Sequence, residues 1–264
     1  MNNVRLSSRS VVGLLGAAGA ALVVAFVLAP AALLNGADGA FQDEGVLRDA
    51  VGRGLVEYWR GDGPAFPALL AELVDYWFRW HAIKVLISSA MLVVFAVLAA
   101  TLWRRYVHGT ARYAVAAIGA TVFSVVATGL LILNIQATAV PLVALLPLVG
   151  GGAPGGELAQ TLREMNEGLT GAVGSPALTV LLGEVERYHW VMVAVSATVL
   201  VATSLAGASL WKRRSTGDQR VRFMRRTLGV TLALTASLML AVVAVSVLSA
   251  AEPAGALRGV LGLG

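Results

Sequence analysis

A chain of 264 residues that is 58% hydrophobic and 13% charged has about half the charge share of an ordinary domain in water. Its apolar stretches call for lipid rather than for one buried core. The net charge of +5 sits in short segments beside those stretches, the pattern that orients membrane helices, and gives no reason to invoke nucleic acid. The absence of cysteine excludes disulfides, thiolate catalysis and cysteine-ligated metal or cluster sites.

In chain order, the first span is predicted at 10–34, since about 20 apolar residues cross the hydrocarbon. Arg5 and Arg9 precede it, as they would a secretory signal. Its apolar length exceeds a usual signal core, and it is read as a retained helix. Gly13, Gly16 and Gly19, with Ala17 and Ala21, give it a small-residue face suited to close helix packing. An outer segment follows at 36–80. There Val46, Leu47, Ala50, Leu55 and Val56, then Tyr58 and Trp59, predict a surface amphipathic helix, ended by RGDGP. From Pro67 the stripe Leu69, Leu70, Leu73, Val74 and Trp77 predicts a helix that runs on into a second span, 81–102. The third span, 113–135, ends near Asn134 and Gln136. These amides, and Asn35 after the first span, are read as helix-end caps, with pairing between helices as the alternative. The outer segment 136–189 opens with an apolar stretch broken by Pro141, Pro147 and a glycine cluster. It is too interrupted to span and is expected at the outer surface or in a shallow re-entry. Spans at 190–210 and 227–250 follow, with a short tail after Ala251.

Charge sets the expected orientation. The segments around Arg104, Arg105 and Arg112, and from Lys212 to Arg226, hold one acid, Asp218, whereas the two long loops are acidic on balance. The positive-inside bias then places the N-terminus in the cytoplasm and the C-terminus outside a bacterial cell membrane.

RWHAIKVLISSAMLVVFAVLAATLWRR (79–105) aligns without a gap on RYHWVMVAVSATVLVATSLAGASLWKR (187–213). Arg79, His81, Val85, Leu102, Trp103 and Arg105 fall on Arg187, His189, Val193, Leu210, Trp211 and Arg213. The expected fold is therefore an all-α integral membrane protein with five transmembrane helices. Two tandem helix–outer segment–helix repeats, 1–106 and 107–214, are followed by 215–264 with a basic loop, the fifth span and the tail. Repeats of equal orientation imply an axis along the membrane normal.

His81 and His189 invite three readings, one of them a structural hydrogen bond between the repeats. Paired imidazoles on facing helices could ligate a haem iron. The plainer reading makes Arg79, Trp80, His81 and Arg187, Tyr188, His189 interface residues, apolar in body and polar at the tip. Trp103 and Trp211 would mark the opposite interface. Lys84 is the charge clearly inside a span and is expected to snorkel to water; its repeat partner is Met192. No nucleotide loop, HExxH or serine elbow is present, and the acids of the outer loops read as solvated faces with local pairs such as Asp75 and Arg79.

At NIQATAVPLVALLPL (134–148) and SPALTVLLGEVERYHWVMV (175–193) the chain resembles polytopic membrane proteins of unassigned function from high-GC actinobacteria. That resemblance implies a membrane fold and brings no activity. The layout also resembles the small four-helix membrane family of the anthrone oxygenases, whose fourth helix opens with an Asn-His-Val-Arg stretch. RWHAIKV lacks the asparagine before the histidine and has lysine where that family has arginine, so no site is carried over. The expected function is a structural, assembly or interaction component of the cell envelope, without catalysis or cofactor. Its partners would be the lipid bilayer and an envelope protein or further copies of itself. A channel or carrier component and a haem-binding redox protein are the alternatives. Ser88, Ser89, Ser124, Thr128, Ser196 and Thr203 are the polar residues that the helical wheels offer a transport path.

Overall fold

The computed structural model describes residues 8–34, 39–61, 63–150, 155–171, 175–213 and 215–263. Asn35 lies outside the described residues, as do Arg5 and the side chain of Arg9. Among the described residues there are helices and no strands, in the order α1 (Ser8–Leu33), a 3-10 turn (Gly39–Gln42), α2 (Glu44–Arg60), α3 (Ala68–His108), α4 (Tyr113–Ala139), α5 (Pro141–Leu145), α6 (Pro147–Gly150), α7 (Gly156–Thr170), α8 (Pro176–Lys212), α9 (Gln219–Ala251) and α10 (Pro253–Leu261). Five of them (α1, α3, α4, α8 and α9) are long and apolar enough to cross a membrane. The protein is an all-α, multi-pass membrane protein.

Each predicted span is the apolar middle of a longer helix. α3 has 41 residues, roughly 60 Å of rod at 1.5 Å per residue, and joins the predicted outer stripe to the second span without a break. α8 does the same over 37 residues. The chain divides into two compact units. They group contacts in space, whereas the tandem relation is one of sequence, so neither decides the other.

The first unit comprises α1 up to Ala29, Lys84–Leu133 and Ser196–Ala241. Its helices pack through small residues. Ala117 and Ala127 are fully buried, and a Cβ at Gly19 would stand 2.8 Å from the Phe95 ring. Phe95 in turn stacks on Phe123 at 5.1 Å. Gly13 and Gly16 have nothing within contact distance and, with Ala17 and Ala21, are exposed. Of the small-residue face, only Gly19 serves internal packing. Large apolar side chains such as Leu86, Val115 and Leu205 point outward, as a lipid-facing surface requires.

The second unit comprises Pro30–Ile83, Asn134–Val195 and the chain from Val242. It has a core of the kind found in proteins folded in water. Leu55, Leu73, Leu145, Leu146, Met165, Leu181 and Leu257 are fully buried in one cluster. α2 is held to α7 by Trp59 Nε1 donating to Glu164 at 3.0 Å and by the Arg60–Glu157 ion pair at 3.1 Å.

Two features go beyond the sequence reading. The proline-broken stretch folds as α5 and α6 and is buried within the unit: Val140, Leu142, Leu145, Leu146 and Val149 all belong to this core. Pro141 and Pro147 open these helices, where a missing N–H costs nothing. The short tail is an ordered helix, α10, packed on α6 and α7. Its Leu257 and Leu261 are buried, and Gly262 closes it in the left-handed conformation at φ 66°.

Candidate functional site

The two histidine stretches lie in the second unit, on α3 and α8. His81 is fixed by its own helix. Its Nδ1 is 3.0 Å from the Trp77 carbonyl, and the ring lies against Trp77 at 4.7 Å, tilted by 54°. A carbonyl only accepts, so Nδ1 carries the proton and a neutral ring keeps its lone pair on Nε2. His189 lies edge-on to Tyr188 at 5.6 Å. Arg79 pairs with Asp75 at 2.8 Å, as its spacing predicts, and Arg187 meets Glu184 at 3.7 Å. Trp80 and Tyr188 turn their rings onto the buried core, while Trp190 is the outward tryptophan, its Nε1 donating to Glu186 at 3.3 Å. Among the described residues no group of three or more histidine or acidic side chains is placed to hold a metal ion.

Gln136 is the polar residue whose role differs from expectation. α4 runs past it to Ala139, so it caps no helix end. Only 3% exposed, its Nε2 donates to the Tyr188 carbonyl on α8 at 3.2 Å. An amide buried in an apolar setting needs such a partner, and α8 supplies it beside His189. Thr138 Oγ1 donates to the Asn134 carbonyl at 2.7 Å.

In the first unit, Trp103 and Trp211 have different settings despite their repeat register. Trp103 is buried, donating from Nε1 to Thr121 Oγ1 at 3.0 Å and touching Tyr106 and Phe223. Trp211 is half exposed. Thr121 thus satisfies the Trp103 indole N–H inside the helix packing. Lys84 lies with Nζ 5.2 Å from the centre of the Phe26 ring on α1, a cation–π contact. Ser88 Oγ donates to the Lys84 carbonyl at 2.6 Å.

The same unit holds a largely apolar cavity of about 250 Å³, lined by Val125, Val199, Leu210, Leu228 and Leu232 together with Thr121, Ser124 and Thr128 of α4, Thr203 of α8, Thr231 and Thr235 of α9. Each hydroxyl donates to a carbonyl one turn back on its own helix, at 2.7 to 3.0 Å. With their protons spent, these groups offer only weak acceptor lone pairs, so the cavity suits a weakly polar occupant better than an ion. Of the residues singled out from the sequence, Ser124, Thr128 and Thr203 line it. Ser88, Ser89 and Ser196 do not. Thr121, Thr231 and Thr235 were missed, although 121/124/128 and 227/231/235 are helical spacings that mark one face.

A larger concavity, about 840 Å³, belongs to the second unit. Arg48, Asp49, Arg53, Glu57 and Arg60 of α2, and Glu157 and Leu158 of α7, line it. Gly52 lets the chains approach closely here, since a Cβ would stand 3.1 Å from Leu158. Charges of both signs stand here over an apolar floor of Val56, Val149 and Leu158.

No protein family, curated protein or solved structure matches this chain.

Proposed function

We propose that the chain is a non-catalytic component of the bacterial cell envelope that offers its acidic-loop unit as a docking platform for another envelope component. The mixed-charge groove along α2 and α7 supports this reading: it joins charge of both signs to an apolar floor, the composition of a protein-recognition surface. In this reading α1–α2–α3 and α4–α7–α8 are two copies of one unit. The N-terminus is cytoplasmic, the groove and C-terminus lie outside, and the resemblance to actinobacterial membrane proteins reflects common descent. No cofactor takes part, and His81 and His189 are anchors.

A photo-crosslinking residue at Arg53 or Glu157, in native membranes, tests the reading. It expects one discrete adduct whose partner, once purified, binds the full chain and is lost on Arg53→Glu. Absence of any groove adduct overturns it. A Soret band that disappears in His81→Ala/His189→Ala replaces it with the haem reading. Because the chain has no cysteine, single cysteines at Arg53 and Arg226 report orientation by labelling with an impermeant maleimide.

A second reading, a channel or carrier component, draws on the cavity lined in part by Thr128 and Thr203. It expects proteoliposomes of the full chain to pass a small neutral solute, and Thr128→Val/Thr203→Val to abolish that flux.

A further inference from the structure

The turn between α3 and α4 gathers cations without an anion. Arg104, Arg105 and His108 from the end of α3, Arg112 and Tyr113 from the start of α4, surround a concavity of about 510 Å³. The Arg105 and Arg112 guanidinium carbons stand 5.5 and 5.2 Å from the centre of the same Tyr113 ring. Arg112 Nη2 also donates to the phenol oxygen at 3.4 Å. Among the described residues, no carboxylate pairs with Arg104, Arg105 or Arg112, and the sequence has no Asp or Glu between Asp75 and Glu157.

The plain explanation is that cations favour a helix C-terminus. That need is already met by another residue. Arg220 of α9 donates from Nη1 to the carbonyl oxygens of Tyr106 and Gly109 at the end of α3. The remaining guanidiniums are thus held together against their mutual repulsion, and Arg105 Nη2 is buried with no hydrogen-bond partner. A buried donor without an acceptor is costly, and a guanidinium fork matches phosphate oxygens two at a time. The turn joins two membrane spans, which sets it at the depth of lipid headgroups.

We propose that this concavity binds the phosphate headgroup of an anionic membrane lipid, with preference for a headgroup carrying two phosphates over one. Three guanidiniums and a histidine leave a single phosphodiester overmatched in charge, whereas two phosphates come close to balance. The Tyr113 ring holds Arg105 and Arg112 as a pre-ordered pair, so little side-chain freedom is lost on binding.

Native mass spectrometry of the delipidated full chain tests the site, with diphosphatidylglycerol, phosphatidylglycerol and phosphatidylcholine added separately. Retention should fall in that order. The Arg105→Gln/Arg112→Gln variant should bind diphosphatidylglycerol about thirty-fold more weakly, the loss of two cations at a membrane surface. Lys212→Gln/Arg226→Gln, with the same change of charge, should bind as the parent does. Should the half-buried Arg105 prove necessary for folding, Arg104→Gln/Arg112→Gln alters only exposed residues and should show the same weakening. Equal loss in the control variant, or equal retention of phosphatidylcholine, overturns the proposal. Displacement of the lipid by millimolar inorganic phosphate also overturns it, by making free phosphate the ligand.

Discussion

The two compact units are both wholly helical in their described elements and are packed by different rules. In the acidic-loop unit, Leu55, Leu73, Met165 and Leu181 disappear into a core assembled from short amphipathic helices, and α2, α5, α6, α7 and α10 owe their order to that burial. In the unit of basic loops, the large aliphatics Leu86, Val115 and Leu205 face outward. Contacts there are made by alanines, by Gly19 against Phe95, and by the Trp103–Thr121 hydrogen bond. Burial from water drives the first. In lipid, close packing and interhelical hydrogen bonds must replace it.

The largest expected effect follows from this contrast. Leu55→Ala or Leu73→Ala should destabilise the acidic-loop unit by about 2–5 kcal/mol through the cavity left behind, whereas Leu86→Ala or Leu205→Ala should change unfolding little. Far-UV circular dichroism during SDS titration in mixed micelles measures both; equal costs would erase the distinction. Next comes Gly19→Ala. Its Cβ would collide with a Phe95 ring already stacked on Phe123, at a cost of about 1–3 kcal/mol. Gly13→Ala and Gly16→Ala, which meet open space, should be neutral in the same titration.

Smaller again are the interhelical hydrogen bonds. Trp103→Phe and Gln136→Leu should each cost about 0.6–1.7 kcal/mol, and Thr121→Val should leave Trp103→Phe without further effect in a double-mutant cycle. The smallest effect is one of pH. Burial, helped by the Glu184 carboxylate, raises the Tyr58 pKa above its usual 10.0, because the phenol is enclosed near the Pro64 and Ala177 carbonyls. A raised pKa means stability present below pH 10 and lost as the pH climbs through the folded value. Tyr58→Phe should remove that alkaline loss, which thermal melts of the full chain at pH 8 and pH 11 would reveal by a smaller drop in Tm.

Much of this architecture could be read from the chain. Runs of apolar residues near the bilayer length located all five long helices, and the stripe from Leu69 to Trp77 foretold that α3 would be one rod, because helical periodicity is local. The Asp75–Arg79 pair was legible for the same reason. What only the tertiary structure decided are contacts between segments far apart in sequence. Trp103 and Trp211 share a register and a flanking pattern, yet Trp103 is buried with its N–H on Thr121 and Trp211 is half exposed. Gln136 reads as a cap until α8 brings the Tyr188 carbonyl to it. The apolar stretch from Val140 to Val149 and the tail with Leu257 and Leu261 carry no periodicity long enough to declare a partner. Their burial depends on a core that forms only when α2, α6, α7 and α10 meet. The arginines of the α3–α4 turn were visible as a topology signal. That they converge on one tyrosine, with Arg220 already serving the helix end, is a fact of three-dimensional packing.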